Sequence, residues 1–215
     1  MDLTGAVLSF ALVGDLLTIT PGLDTALVLR AAVNTGRRPA FFTAFGVCLG
    51  ALIWGAAAAV GVSALLAASD VAYTALRISG AAYMIYLGVR MLRQGVRGNL
   101  DAHDATASGP GIAAVTSSRS ALSRGALTNL LNPKVGAFYV AVLPQFIPDG
   151  ASHLGVGLLL ASVHALESML WFTAIILGAR ALGTFLKRRS AQRAVDGATG
   201  TVLIGFGLKL GLSSR

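Results

Sequence analysis

The sequence is poor in cysteine, histidine, glutamate and charge. Among 215 residues there is one Cys and there are three His. Cys48 alone cannot build an intramolecular disulfide framework. It lies in an apolar run and reads as a small core residue. One Cys and three scattered His do not assemble a soft-metal site, so no metal is expected. Phosphate-binding P-loop, HExxH and GxSxG patterns are all missing. ATP-driven transport and zinc proteolysis therefore have no residues to carry them. No catalytic set and no cofactor are expected. Charged residues make up 12% of the chain, against about 25% in an ordinary soluble domain. That scarcity argues against a soluble enzyme, a nucleic-acid-binding module and a disordered protein.

What is present is apolar. Hydrophobic residues reach 55% and the mean hydropathy is +0.74. Lipid rather than water must cover such a surface. Six apolar stretches stand out, at about 3–30, 40–67, 71–92, 126–147, 153–186 and 194–212. A bilayer span needs about 20 apolar residues, so the length suits six spans. Backbone groups in lipid must be satisfied internally, which favours helices. No period-2 alternation supports a β-barrel. The start Met-Asp-Leu-Thr lacks a basic leader, so the first apolar stretch is expected to remain as a span. Between the third and fourth stretches, 93–124 is polar and reads as a linker. It divides the chain into a first half at 1–92 and a second half at 125–215.

Basic residues set the orientation. The chain holds 17 Lys+Arg against 9 Asp+Glu. The first loop has Arg37 and Arg38; the third has Arg93, Arg97, Arg119 and Arg124; the fifth has Lys187, Arg188, Arg189 and Arg193. The second loop has no basic residue before Arg77, and the fourth has none. Alternating basic loops predict six spans with both termini outside.

Three spans plus three imply an inverted repeat. The fold expected is an all-α membrane protein of two inverted three-helix halves, with broken helices at Pro21 and Pro133. The first break reads Thr20-Pro21-Gly22-Leu23-Asp24, and the second Asn129-Leu130-Leu131-Asn132-Pro133-Lys134. Thr20 and Asn132 are suited to cap helices, and each precedes a proline, which is favoured at a first helical position. Each break is expected to present free N–H groups and the positive end of a helix dipole. Paired breaks in inverted halves point to a transporter binding site. A simple proline kink is the alternative at each break. The candidate binding residues are Thr20, Pro21, Gly22, Asp24, Asn129, Asn132, Pro133 and Lys134.

Ionisable groups at membrane depth cost about 2.5–3.5 kcal/mol each on insertion scales. Asp15, Asp24, Lys134 and Glu167, the only glutamate, are the deep ones. Asp24 and Lys134 either form a structural ion pair or take part in binding. His164 lies one turn before Glu167 and shares its face. That pair is either a proton relay or ordinary hydrogen bonding. Asp15, Asp24, His164 and Glu167 are the candidates for coupling to protons. Asn129 and Gln145 either bond neighbouring helices or touch substrate, and Tyr83 and Tyr86 read first as packing. Gly46…Gly50 and Gly207…Gly211 have GxxxG spacing, which serves close packing within a monomer or across a homodimer.

Four segments resemble the LysE/RhtB family of amino-acid exporters. Thr20 to Thr25 is similar to the family's PGP(D/N) motif, with Leu23 where a second proline is usual. Gly80-Ala-Ala-Tyr-Met-Ile-Tyr-Leu-Gly88 resembles its third helix. Asn129-Leu-Leu-Asn-Pro-Lys134 with Leu143-Pro-Gln-Phe146 resembles its NxxNPK…PQF stretch. Asp196 to Gly200 with Leu203 to Leu210 resembles its last helix. The resemblance implies an exporter of amino acids or related solutes in the bacterial inner membrane, driven by a proton or cation gradient. Its partners would be a small-molecule substrate, an amino acid, and the bilayer, with no nucleic acid and a possible homodimer. A membrane scaffold, an intramembrane enzyme using His164, Glu167 and Tyr83, and an exporter of another solute or a metal are the competing readings.

Overall fold

A computed structural model describes residues 2–20, 22–68, 70–97, 117–148 and 150–179, with scattered helical residues between 190 and 212. Described residues outside turns are helical, as an apolar chain without alternation requires. α1 (Leu3–Ile19) is capped by Asp2, whose Oδ1 accepts from Gly5 N at 3.3 Å. α2 (Leu23–Asn34) follows at a bend of 56°. It runs past the apolar stretch to Thr35, where the Thr35 hydroxyl donates to Ala31 O. Gly36, at φ +99°, then reverses the chain in the left-handed conformation glycine tolerates.

α3 (Arg37–Ala68) and α4 (Asp70–Arg97) come next. α5 (Ser118–Leu130) and α6 (Pro133–Ala141) flank the second break, and a 3-10 turn at Leu143–Phe146 carries Pro144. α7 (His153–Leu177) is capped by Ser152, whose hydroxyl accepts from Gly155 N at 3.2 Å. Of the polar stretch 93–124, residues 93–97 and 118–124 are helical. Among the described residues, α3 over Arg37–Gly61 and α7 are long and apolar enough to cross a bilayer. α1 and α2, bent at the break, are long and apolar enough only as a pair, and count as a third if the pair is one span.

α3 is the hub, packing against α2, α4, α5, α6 and α7. In lipid the apolar outer surface gains nothing by hiding from water, so helices associate through close packing. Small residues supply it here. A Cβ added at Gly46 would lie 2.0 Å from Leu122 O, and one at Gly125 would lie 2.1 Å from Thr43 O. The Gly46…Gly50 spacing is thus used inside the monomer, between α3 and α5. A Cβ at Gly207 would meet Ile85 and Ala81 on α4. Gly211 lies outside the described residues. On α3 and α7, Gly55 abuts Ala161 and Gly157 abuts Ala59. The core beside them holds Phe10, Phe138, Phe146 and Leu160. Phe10 stacks within 5.6 Å of both other phenyl rings. Leu8, Leu12, Leu166 and Leu170 face outward, each about two-thirds exposed or more. That is an exterior made for lipid.

Candidate functional site

At the first break the local structure differs from the expected cap. Thr20 ends α1 rather than starting α2. Its N–H and its hydroxyl both donate to Leu16 O, the hydroxyl at 2.7 Å. Gly22 is the N-cap of α2 in extended backbone, and it supplies no side-chain cap. A threonine can bond the carbonyl four residues back, and that bond closes α1 before Thr20 can reach forward. Leu23 is then the first residue of α2, a position that suits proline. Leucine at this position therefore does not prevent the helix from starting. Pro21 lies outside the described residues.

The second break is as expected. Asn132 caps α6, its Oδ1 accepting from Lys134 N at 3.1 Å, and Pro133 opens the helix. Pro133 O accepts a long 3.5 Å bond from the Tyr83 hydroxyl on α4.

The two breaks meet through their polar residues. Asp24 Oδ2 accepts from Asn129 Nδ2 at 3.0 Å and from Asn132 Nδ2 at 3.1 Å. Lys134 Nζ donates to Leu17 O at 3.1 Å and Thr20 O at 3.2 Å. Those carbonyls lie at the C-terminal end of α1, so a cation there meets the negative end of the dipole. Asp24 sits in the first turn of α2, at the positive end. Each break thus holds the charged residue of the other. Asp24 and Lys134 also interact electrostatically. Gly50 makes the arrangement possible, because a Cβ there would lie 2.7 Å from Asn129 Oδ1.

Two acceptors in this cluster are left over. Asp24 Oδ1 and Asn129 Oδ1 are buried and have no hydrogen-bond donor. A buried orphan acceptor costs roughly 1–3 kcal/mol, so a pair beside one cavity marks a place where a donor-bearing guest gains.

Thr20, Gly22, Asp24, Asn129, Asn132, Lys134 and His164 all line that cavity. Its apolar wall includes Val47, Ala51 and Phe172. The space open to centres of water-sized molecules is about 30 Å³. That is room for a water or a few, so the breaks must part to admit anything as large as an amino acid.

His164 is buried in a network that sequence reasoning missed. Its Nε2 shares a 3.0 Å hydrogen bond with the Thr18 hydroxyl, and its Nδ1 a 2.9 Å bond with the Tyr139 hydroxyl. Thr18 in turn bonds Ser168 at 3.2 Å. Thr18 and Ser168 line the cavity; Tyr139 is fully buried behind it. Ser168 was detectable as a hydroxyl one turn beyond His164, but Thr18 and Tyr139 carry no spacing signal. Both ring nitrogens face hydroxyls, so His164 does not hydrogen-bond Glu167. Glu167 and Asp15 stand outside the cavity lining, and Asp15 is exposed. Gln145 donates to Ala141 O at the end of α6. Cys48 is buried and donates to Ala165 O at 3.3 Å. Among the described residues no His, Cys, Asp and Glu group could hold a metal ion.

Known proteins place this geometry in context. The model of the LysE type translocator family matches residues 16–214. The chain is 30% identical over 208 residues to the uncharacterized membrane protein YrhP of Bacillus subtilis, covering 97% of this chain and 99% of that one. It is 32% identical to the threonine efflux protein of Salmonella typhi, covering 94% and 96%. It is 28% identical to the leucine efflux protein of an Enterobacter species, covering 90% and 89%. No solved structure matches it. The matches cover both breaks and the α3 hub, and they make the chain a multi-pass translocator rather than an enzyme: it belongs to the LysE type translocator family.

Proposed function

We propose that this protein exports amino acids or close derivatives from the cytoplasm across a bacterial inner membrane, coupled to the proton or cation gradient. The observation that carries the reading is the pair of orphan acceptors, Asp24 Oδ1 and Asn129 Oδ1, at the meeting of the two breaks. A substrate ammonium supplies the donors they lack. The substrate carboxylate lies at the N-terminus of α2, which has no side-chain cap, beside Lys134. α6 is the poorer anion seat, because Asn132 already caps it and Pro133 has no N–H. Relatives named for threonine and leucine efflux support the class of cargo.

Six spans in two inverted halves account for the two breaks. A carboxylate in the membrane carries the coupling proton. The membrane potential contributes about 2.3 kcal/mol per charge per 100 mV.

The test is efflux from cells preloaded with a dipeptide mixture, reading all amino acids outside with and without the protein. Selective excretion that an uncoupler stops is the expected result. No change for any amino acid, with the protein verified in the membrane, overturns amino-acid export. The orientation has its own check. A reporter active only in the cytoplasm, fused after Arg215, should be silent. Activity there would reverse the topology.

A further inference from the structure

Glu167 is a membrane carboxylate that the substrate cavity does not use. It lies on α7 where that helix packs along α1. Gly14 of α1 makes the space. A Cβ there would lie 3.2 Å from Glu167 Oε2 and 3.2 Å from His164 Cδ2. Glu167 Oε2 is buried and has no hydrogen-bond donor. The residue as a whole is partly buried. Asp15, the next residue of α1, is exposed and acts on Glu167 electrostatically. From α6, Tyr139 is within electrostatic reach. On α7 itself, His164 stands one turn away. From α3, Cys48 reaches α7 at Ala165 O. α2, which also packs against α7, carries Asp24 and Arg30.

We infer that Glu167 is the proton-exchanging carboxylate, set on the α1–α7 seam apart from the Asp24 substrate seat. This rests on proton-coupled export as proposed above. Two acidic groups on adjoining helices, one with a buried orphan oxygen, form a site that a single proton satisfies. An O–H bond forms on Glu167 with a proton from the outer side and breaks toward the cytoplasm. One proton thus moves inward as one amino acid moves outward. The link to the cavity runs through α1. Thr18, one turn beyond Gly14, bonds His164 and Ser168, and Leu17 and Thr20 give their carbonyls to Lys134. A change of charge beside Gly14 therefore acts on the helix that the substrate site grips.

The experiment uses purified full-length protein in liposomes holding a pH-sensitive dye, with an equimolar mixture of labelled amino acids. Counterflow without a pH gradient reads the substrate seat alone. Dye response to added amino acids reads the coupled proton. Glu167→Gln, which preserves shape, should keep counterflow within about twofold of wild type. It should lose the proton signal by about tenfold or more. Asp24→Asn should lose both. A Glu167→Gln protein that still moves protons with amino acids overturns the inference, as does one that loses counterflow. A wild-type protein that shows counterflow and no proton signal sinks proton coupling itself. One that moves no amino acid sinks the export reading, so the failures are told apart.

Discussion

Asp24→Asn is expected to cut amino-acid export by about 100-fold or more while the protein still inserts. The change keeps the size of the side chain. It removes the charge that would receive a substrate ammonium, and it replaces one carboxylate oxygen by an amide that donates. The amide keeps its oxygen toward Asn129 and Asn132, whose own amides now donate to Asp24 Oδ2, and its NH2 takes the place of Oδ1, the acceptor that has no donor. A substrate ammonium would then meet a donor where it now meets an acceptor, and Lys134 would lose its counter-charge. Breaking a buried charge cluster by removing one member costs about 3–5 kcal/mol, and each 1.4 kcal/mol is about tenfold. The check is the efflux rate divided by the amount of protein in the membrane. Export near the wild-type rate would remove Asp24 from the substrate seat.

Lys134→Met should match that loss, and its combination with Asp24→Asn separates structure from function. Methionine keeps the length and apolar stem of lysine but cannot donate to Leu17 O and Thr20 O. Each single variant leaves one charge without its counterpart, so each should melt below wild type. The double variant carries neither charge. Replacing a whole buried pair is often close to neutral for stability. Its melting temperature should therefore recover toward wild type while export stays absent. Thermal melting in detergent and efflux in cells read the two properties separately. Recovery of export along with stability would mean that the two charges serve only to hold the breaks together.

The sequence made the breaks visible because proline and a cap-forming residue interrupt apolar runs in only two matching places. Asp24, Asn129, Asn132 and Lys134 stood out for the same reason, as polar groups in lipid-length segments, and the structure brings all four to one cavity. The cap at the first break was misjudged. Thr20 can serve either end of a helix, and only the placed Leu16 carbonyl decides which. The His164 network was hidden because its partner Thr18 is 146 residues away in the chain. Gly14 was one among 26 glycines, and Gly50 stood out only through its spacing from Gly46. Their meaning depends on which side chain arrives opposite, and composition cannot tell that. α4 was legible as an apolar stretch, yet its basic residues, Arg77, Arg90, Arg93 and Arg97, dilute the signal on which span counting relies.

The contact between α3 and α5 has a mechanical consequence. Where Gly46 and Gly125 let the backbones touch, no side chain stands between them to act as a bearing. Turning α5 by one residue would put Ala126 or Arg124 where Gly125 now fits, against Thr43 O. Rolling or sliding of these two helices is therefore blocked by atoms that cannot give way. They form a fixed axle between the segments that carry the first and the second break. Opening of the site falls instead to the short pieces on either side of it, α2 and α6, which follow the breaks and meet, among the described residues, through the polar contact of Asp24 with Asn132 that a substrate can replace.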